Sequence, residues 1–205
     1  MNQLRVAAIV EGHGEYEAVR ILLERIWYKL LGGEYIDVLR PIRHKRQQLA
    51  KPNELKRAVA LASSKLANAP GQQIPALVLI LIDAETDLPC RLAPELLGWA
   101  REERTDVDIV CIVANVEYET WFVAAAESLQ DYLDLPEGES APHQPELERH
   151  GKRWIEQRFK RTKYSETQDQ PAMTAMMDIA LCRTRSPSFD KLCRELALRR
   201  EATQP

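Results

Sequence analysis

Cysteine and histidine are scarce, and neither is spaced for metal. The four cysteines, Cys90, Cys111, Cys182 and Cys193, form no Cys-x-x-Cys pair. That excludes the usual structural zinc sites, and the set reads as reduced thiols rather than a disulfide framework. Cys111 lies in an apolar run and behaves as a small core residue. His13, His44, His143 and His150 show no metal-ligand spacing either. No apolar run approaches the ~20 residues that cross a bilayer. Met1 to Val10 is too short, and too soon followed by acids, to serve as a signal peptide. A cytoplasmic protein with no membrane partner is therefore expected. Low-complexity sequence is absent, which argues against long disordered arms.

Nucleotide-binding signatures are missing too. Gly12-x-Gly14 follows an apolar run but lacks the third glycine of a dinucleotide fingerprint, and Glu11 and Glu15 would repel a pyrophosphate. No Gly-Lys-Ser/Thr phosphate loop and no Gly-x-Ser-x-Gly nucleophile elbow occur. The net charge of −3 means that any contact with nucleic acid must come from a local basic patch.

What is present is an alternation of short apolar runs and amphipathic stretches. Leu4 to Val10, Tyr35 to Ile42, Ala76 to Ile82 and Val107 to Ala114 read as strands. The third is continuously apolar, as a strand covered on both faces must be. Helical spacing of Val19, Leu22, Leu23, Ile26 and Leu30 predicts a helix stopped by Gly32-Gly33. Further helices are expected after an Asn53 cap, over Leu92 to Glu103 and over Tyr118 to Tyr132. The pattern implies an α/β fold with a parallel sheet of about four strands and helices on both faces. The segment 136–145 shifts to Pro, Gly, Ser and acids and reads as a linker. Trp154 to Phe159, Met173 to Cys182 and Phe189 to Leu198 read as helices beyond it, with Ser186-Pro187 capping the last. The expected organisation is an α/β domain over 1–135 and a linker with a helical C-terminal extension over 136–205.

In open parallel sheets, ligands bind beyond the carboxyl ends of the strands. Glu11 and Glu15 follow the first strand, Asp83, Glu85 and Asp87 the third, and Glu117 and Glu119 the fourth. Singly, each is open to a plainer reading as a helix cap or a first-turn acid, least so Asp83, which follows a fully buried strand. Together they deliver carboxylates from three strands to one edge, where they repel each other unless a cation holds them. The expectation is a Mg²⁺ or Mn²⁺ site of the kind that serves phosphoryl displacement. Arg40, Arg43, His44, Lys45, Arg46 and Lys51 follow the second strand. They form either a solvated charged face or a surface for a polyanion backbone. Lys152, Arg153, Arg158, Lys160, Arg161 and Lys163 form a second basic stretch, open to the same two readings.

Several motifs resemble known families. Val10-Glu11-Gly12-x-x-Glu15 resembles the first motif of Toprim domains, especially those of overcoming-lysogenization-defect (OLD) nucleases, and Asp83-Ala84-Glu85-Thr86-Asp87 occupies the place of the second. Glu117-Tyr118-Glu119-Thr120-Trp121-Phe122, Ala93 to Leu97 and Arg185 to Leu192 resemble segments of the bacterial domain of unknown function 4276. The resemblance implies a Toprim-like, Rossmann-like fold that holds Mg²⁺ through acids. It implies acid/base chemistry or metal sharing at Glu11, and metal ligation at Asp83 with Glu85 or Asp87. It also implies association with a partner ATPase in phage defence. The strict Asp-x-Asp pattern is broken by Glu85. With the convergent acids, the expected activity is nuclease cleavage of DNA or RNA, with Glu11, Asp83 and Asp87 catalytic. The other reading is a non-catalytic or conditionally active subunit that docks on an ATPase.

Overall fold

The structure is a computed structural model that describes residues 2–136, 139–147 and 150–202. Its centre is a parallel sheet of β1 (Gln3–Val10), β2 (Tyr35–Val38), β3 (Ile42–Arg43), β4 (Ala76–Asp83) and β5 (Asp108–Ala114). The strand order is β2-β1-β4-β5, with β3 continuing beside the far end of β1. The stretch read as one strand over 35–42 is split in two. Pro41, with no N–H to donate and a fixed φ, falls in the gap between β2 and β3.

The central strands alternate strictly between two cores, as a pleated strand buried on both faces must. Val6, Ala8 and Val10 of β1, with Leu77, Leu79 and Leu81 of β4, face one core. Ala7 and Ile9, with Val78, Ile80 and Ile82, face the other. The second core is closed by α3 (Pro52–Ala67) and α4 (Pro89–Glu103). Neither helix starts at a side-chain cap. Each starts with proline in its first turn, so Asn53 lies inside α3 rather than capping it. The four-residue α2 (Arg46–Leu49) precedes α3.

The first core is closed by α1 (His13–Arg25) and α5 (Glu119–Ala124), together with the C-terminal helices. A wider turn over Ile26–Leu30 extends α1, and the chain then reverses at Gly32, whose φ of +64° suits glycine. The helix expected over Tyr118 to Tyr132 is shorter: α5 gives way to a 3₁₀ turn over Ala126–Leu129. Beyond it lie α6 (Gly151–Arg158), α7 (Glu166–Met176), α8 (Ile179–Arg185) and α9 (Pro187–Ala202). The single helix expected over 173–182 breaks at Asp178, whose carboxylate accepts from the amides of Ala180 and Leu181 and so starts α8. The Ser186 cap is as expected: its hydroxyl accepts from the Phe189 amide.

These helices share the first core. Ile155, Met173, Ile179, Phe189 and Leu192 are buried with the residues of β1, β4 and β5. The 136–145 segment is not free of the body either, because the Ala141 amide donates to Glu127 Oε1 at 2.9 Å. Glu137 and Gly138 lie outside the described residues. Among the described residues, no helix is long and apolar enough to cross a membrane.

Candidate metal site at the strand ends

Parallel register brings the carboxyl ends of β1, β4 and β5 to one edge together. Val10 pairs with Leu81, and Asp83 with Ala114. Glu11, the first residue past β1, turns inward so that its Oε2 accepts from the Asp83 amide at 3.3 Å. The loops after β4 and β5 are tied to each other: the Glu85 amide donates to the Val116 carbonyl at 2.7 Å. Both residues are left-handed, at φ 51° and 64°. For β-branched Val116 this conformation costs roughly 1–3 kcal/mol. The strain lies where the sheet hands its acids to the loops.

Three of these acids are gripped by the C-terminal extension. Glu117 Oε1 accepts from the Lys152 amide at 2.6 Å, and Glu119 Oε1 from the Tyr164 hydroxyl at 3.0 Å. Glu15 Oε1 is 3.4 Å from the Gln170 amide nitrogen, which donates to it. Glu15 and Glu119 are buried, while Glu11, Asp83 and Glu117 keep partial exposure.

Their protonation follows from this crowding. Burial raises Glu11 to about 7; repulsion from Glu15 adds to it, while the Asp83 amide and Arg46 oppose it. Burial raises Glu119 to about 8, with further repulsion from Glu117 and Glu15. Asp83 is pushed well up, first by desolvation and then by Glu15, Glu11, Glu119 and Glu117. Glu15 is raised mainly by burial. Five carboxylates thus form one electrostatic unit, held together against their own repulsion.

An all-oxygen donor set of this kind suits a hard divalent cation, which would relieve that repulsion. Donor chemistry and present arrangement differ, however. Among the described residues, no three His, Cys, Asp or Glu side chains stand where they could hold a metal ion. Glu11, Glu15, Asp83, Glu117 and Glu119 share one unit, but their carboxylates do not close a ligand set as they stand.

The remaining acids are placed differently. Glu85 and Asp87 are exposed. Asp87 accepts from Arg46 Nη2 at 2.5 Å. The basic loop does reach this edge, because Arg43 pairs with Val10 in the sheet and the His44 amide donates to the Val10 carbonyl. Lys45 is exposed beside it. Arg40 instead turns to Tyr16, donating to its hydroxyl at 2.5 Å. Much of the second basic stretch is spent within the extension: Lys152 pairs with Glu166, Arg161 with Asp169 and Arg158 with Glu139.

Tyr164 and Gln170 carried no signal as site residues in the sequence, and Lys152 stood there only as a member of the second basic stretch. They lie 35 to 155 positions from the acids they hold. The one available hint was polarity at Gln170, which turns out 1% exposed on a helix packed against α1. A cleft of about 500 Å³ opens at the opposite, amino-terminal edge of the sheet, lined by Arg5, Ser63, Arg104 and Asp108. It does not reach the acids.

Among solved structures, the C-terminal region of the Burkholderia pseudomallei OLD protein is similar to this chain. The two are 18% identical, 98% of each chain is covered, and the TM-score is 0.38. No protein of curated function matches. The model of a family described as a domain of unknown function, DUF4276, matches residues 10–197, and the chain belongs to that family.

Proposed function

We propose that this chain is a Mg²⁺- or Mn²⁺-dependent nuclease that hydrolyses phosphodiester bonds of DNA or RNA. The observation that carries this reading is the position of Asp83. It ends the central strand within the repulsion of Glu11, Glu15, Glu117 and Glu119, and all four act to raise it. A cluster of this kind destabilises the fold unless it serves a cation.

Glu11, Asp83 and Glu119 would hold the metal, with Glu15 and Glu117 supporting. Bound there, the ion would polarise a phosphoryl oxygen and lower the pKa of water. The chain's own groups do the rest. Glu11 would alternatively serve as the base, its carboxylate taking up the proton of the attacking water. The Tyr164 hydroxyl, the Gln170 amide and the Lys152 backbone N–H fix the orientation of Glu119, Glu15 and Glu117. The cations of the adjoining loop, Arg43, Lys45 and Arg46, would hold the nucleic-acid backbone.

The test is cleavage of labelled single- and double-stranded DNA and RNA with Mg²⁺, Mn²⁺ and chelator, comparing wild type with Asp83→Ala. Metal-dependent cleavage that vanishes in the variant supports the reading. Equal cleavage by both would sink it.

A second reading is a non-catalytic or conditionally active subunit whose site is completed by an ATPase partner, with phage defence as the setting. The absence of a closed ligand set among the described residues favours it. Co-purification with an ATPase, and cleavage only in the complex, would select this reading over the first.

A further inference from the structure

Arg46 has a position that neither metal ligation nor simple charge neutralisation uses up. It opens α2 immediately after β3, at the same sheet edge as Glu11. Its side chain is only 12% exposed. Nη2 is committed to Asp87. Nε and Nη1 are buried and have no hydrogen-bond partner among the described residues. A guanidinium normally satisfies its N–H groups when buried, and leaving them unmet is destabilising. Its charge also reaches Glu11, so the cation lies within electrostatic range of the acid cluster without being consumed by it.

Asp87 is the complementary half. Its side chain is 56% exposed, and it pairs with Arg46. A carboxylate that grips one nitrogen of a buried guanidinium fixes the plane of the group and leaves its other donors aimed at something else. Asp87 takes one donor and Glu11 feels the charge, yet no described residue accepts from Nε or Nη1, so the acceptor this guanidinium awaits is a ligand. A phosphate fits, with several acceptor oxygens and a charge that a cation between acids would offset.

We propose that Arg46 is the phosphate-binding group of this site, and that Asp87 is its positioning residue rather than a metal ligand. This rests on the nuclease reading for the identity of the ligand, a phosphodiester of nucleic acid, but not for the existence of the phosphate contact.

The probe is inorganic phosphate, titrated into the full chain with and without Mg²⁺. The readout is the ¹⁵Nε–H resonances of the arginine side chains, assigned by the loss of one peak in Arg46→Lys. A saturable shift of the Arg46 resonance is expected. Lysine keeps the charge beside Glu11 but loses the planar fork, so phosphate affinity should fall about tenfold in Arg46→Lys. Asp87→Asn should weaken phosphate several-fold while Mn²⁺ binding, followed by calorimetry, stays at the wild-type value. An unmoved Arg46 resonance, or unchanged phosphate affinity in Arg46→Lys, overturns the assignment. Loss of Mn²⁺ binding in Asp87→Asn with phosphate binding intact returns Asp87 to the metal. Phosphate bound through Arg46 in a protein that binds no divalent cation would sink the nuclease reading and leave the Arg46 contact standing.

Discussion

The Tyr164 hydroxyl donates to Glu119 Oε1 at 3.0 Å, and this contact spans 45 residues to join the C-terminal extension to the acid edge of the sheet. Both side chains are buried. Tyr164→Phe removes the donor and leaves the Glu119 carboxyl without it. Stability should fall by about 1 kcal/mol, read from urea unfolding at pH 6. A variant as stable as wild type would mean that Glu119 finds another partner.

Stability should fall as pH rises from about 4.5 to about 8. The ordinary carboxylate value is 4.5, and in the fold Glu11 is raised to about 7 and Glu119 to about 8. Between these values the folded chain binds more protons than the unfolded one, so ionisation favours unfolding. The contribution is fully present below pH 4.5 and lost as pH passes through 7 to 8. Thermal melts across that range, without divalent cation, should show a falling Tm. Adding Mn²⁺ should recover more at pH 8 than at pH 5.

Asp83→Asn should separate stability from activity. The amide keeps the side chain's shape and removes one ionisable group from the unit of five. Without metal at pH 8, the variant should be more stable than wild type, by on the order of 1 kcal/mol. Cleavage should be lost in the same protein. Chemical denaturation and the nuclease assay on one preparation check both halves; lower stability would mean that Asp83 is not under net repulsion.

Gly14→Ala is a case where local and tertiary effects oppose each other. Helix propensity alone predicts a gain of up to about 1 kcal/mol in the first turn of α1. A Cβ there would lie 1.5 Å from Gln170 Oε1 and 3.0 Å from the Glu166 carbonyl oxygen. Gln170 would have to leave Glu15, and α7 would have to shift from α1. A net loss of roughly 1–3 kcal/mol is expected from unfolding curves.

Much of the architecture was legible from the chain itself, because period and composition are local. Ala76 to Ile82 reads as a doubly buried strand from its unbroken apolar run, and the six inner residues of β4 are indeed all buried. The placement of Glu11, Asp83 and Glu119 at one edge follows from parallel strands alone, since every strand in such a sheet ends on the same side. Boundaries set by single residues were less legible. Pro41 splits a strand and Asp178 splits a helix, and both act through backbone hydrogen bonds rather than through hydrophobic period.

The division of labour among the acids was decided by tertiary structure. In the sequence, Asp83, Glu85 and Asp87 belong to one motif, with the choice between Glu85 and Asp87 as partner of Asp83 left open. Folding leaves Asp83 within the carboxylate unit, puts Glu85 in a strained exposed turn and gives Asp87 to Arg46. Likewise, nothing near Glu15, Glu117 or Glu119 in the chain announces Gln170, Lys152 or Tyr164. Those contacts exist because α6 and α7 bury apolar faces against α5 and α1, and hydrophobic burial carries its polar neighbours with it. Sequence by itself determined that acids meet at one sheet edge. Only packing over long separations decided which of them are buried, which are gripped, and which cation stands beside them.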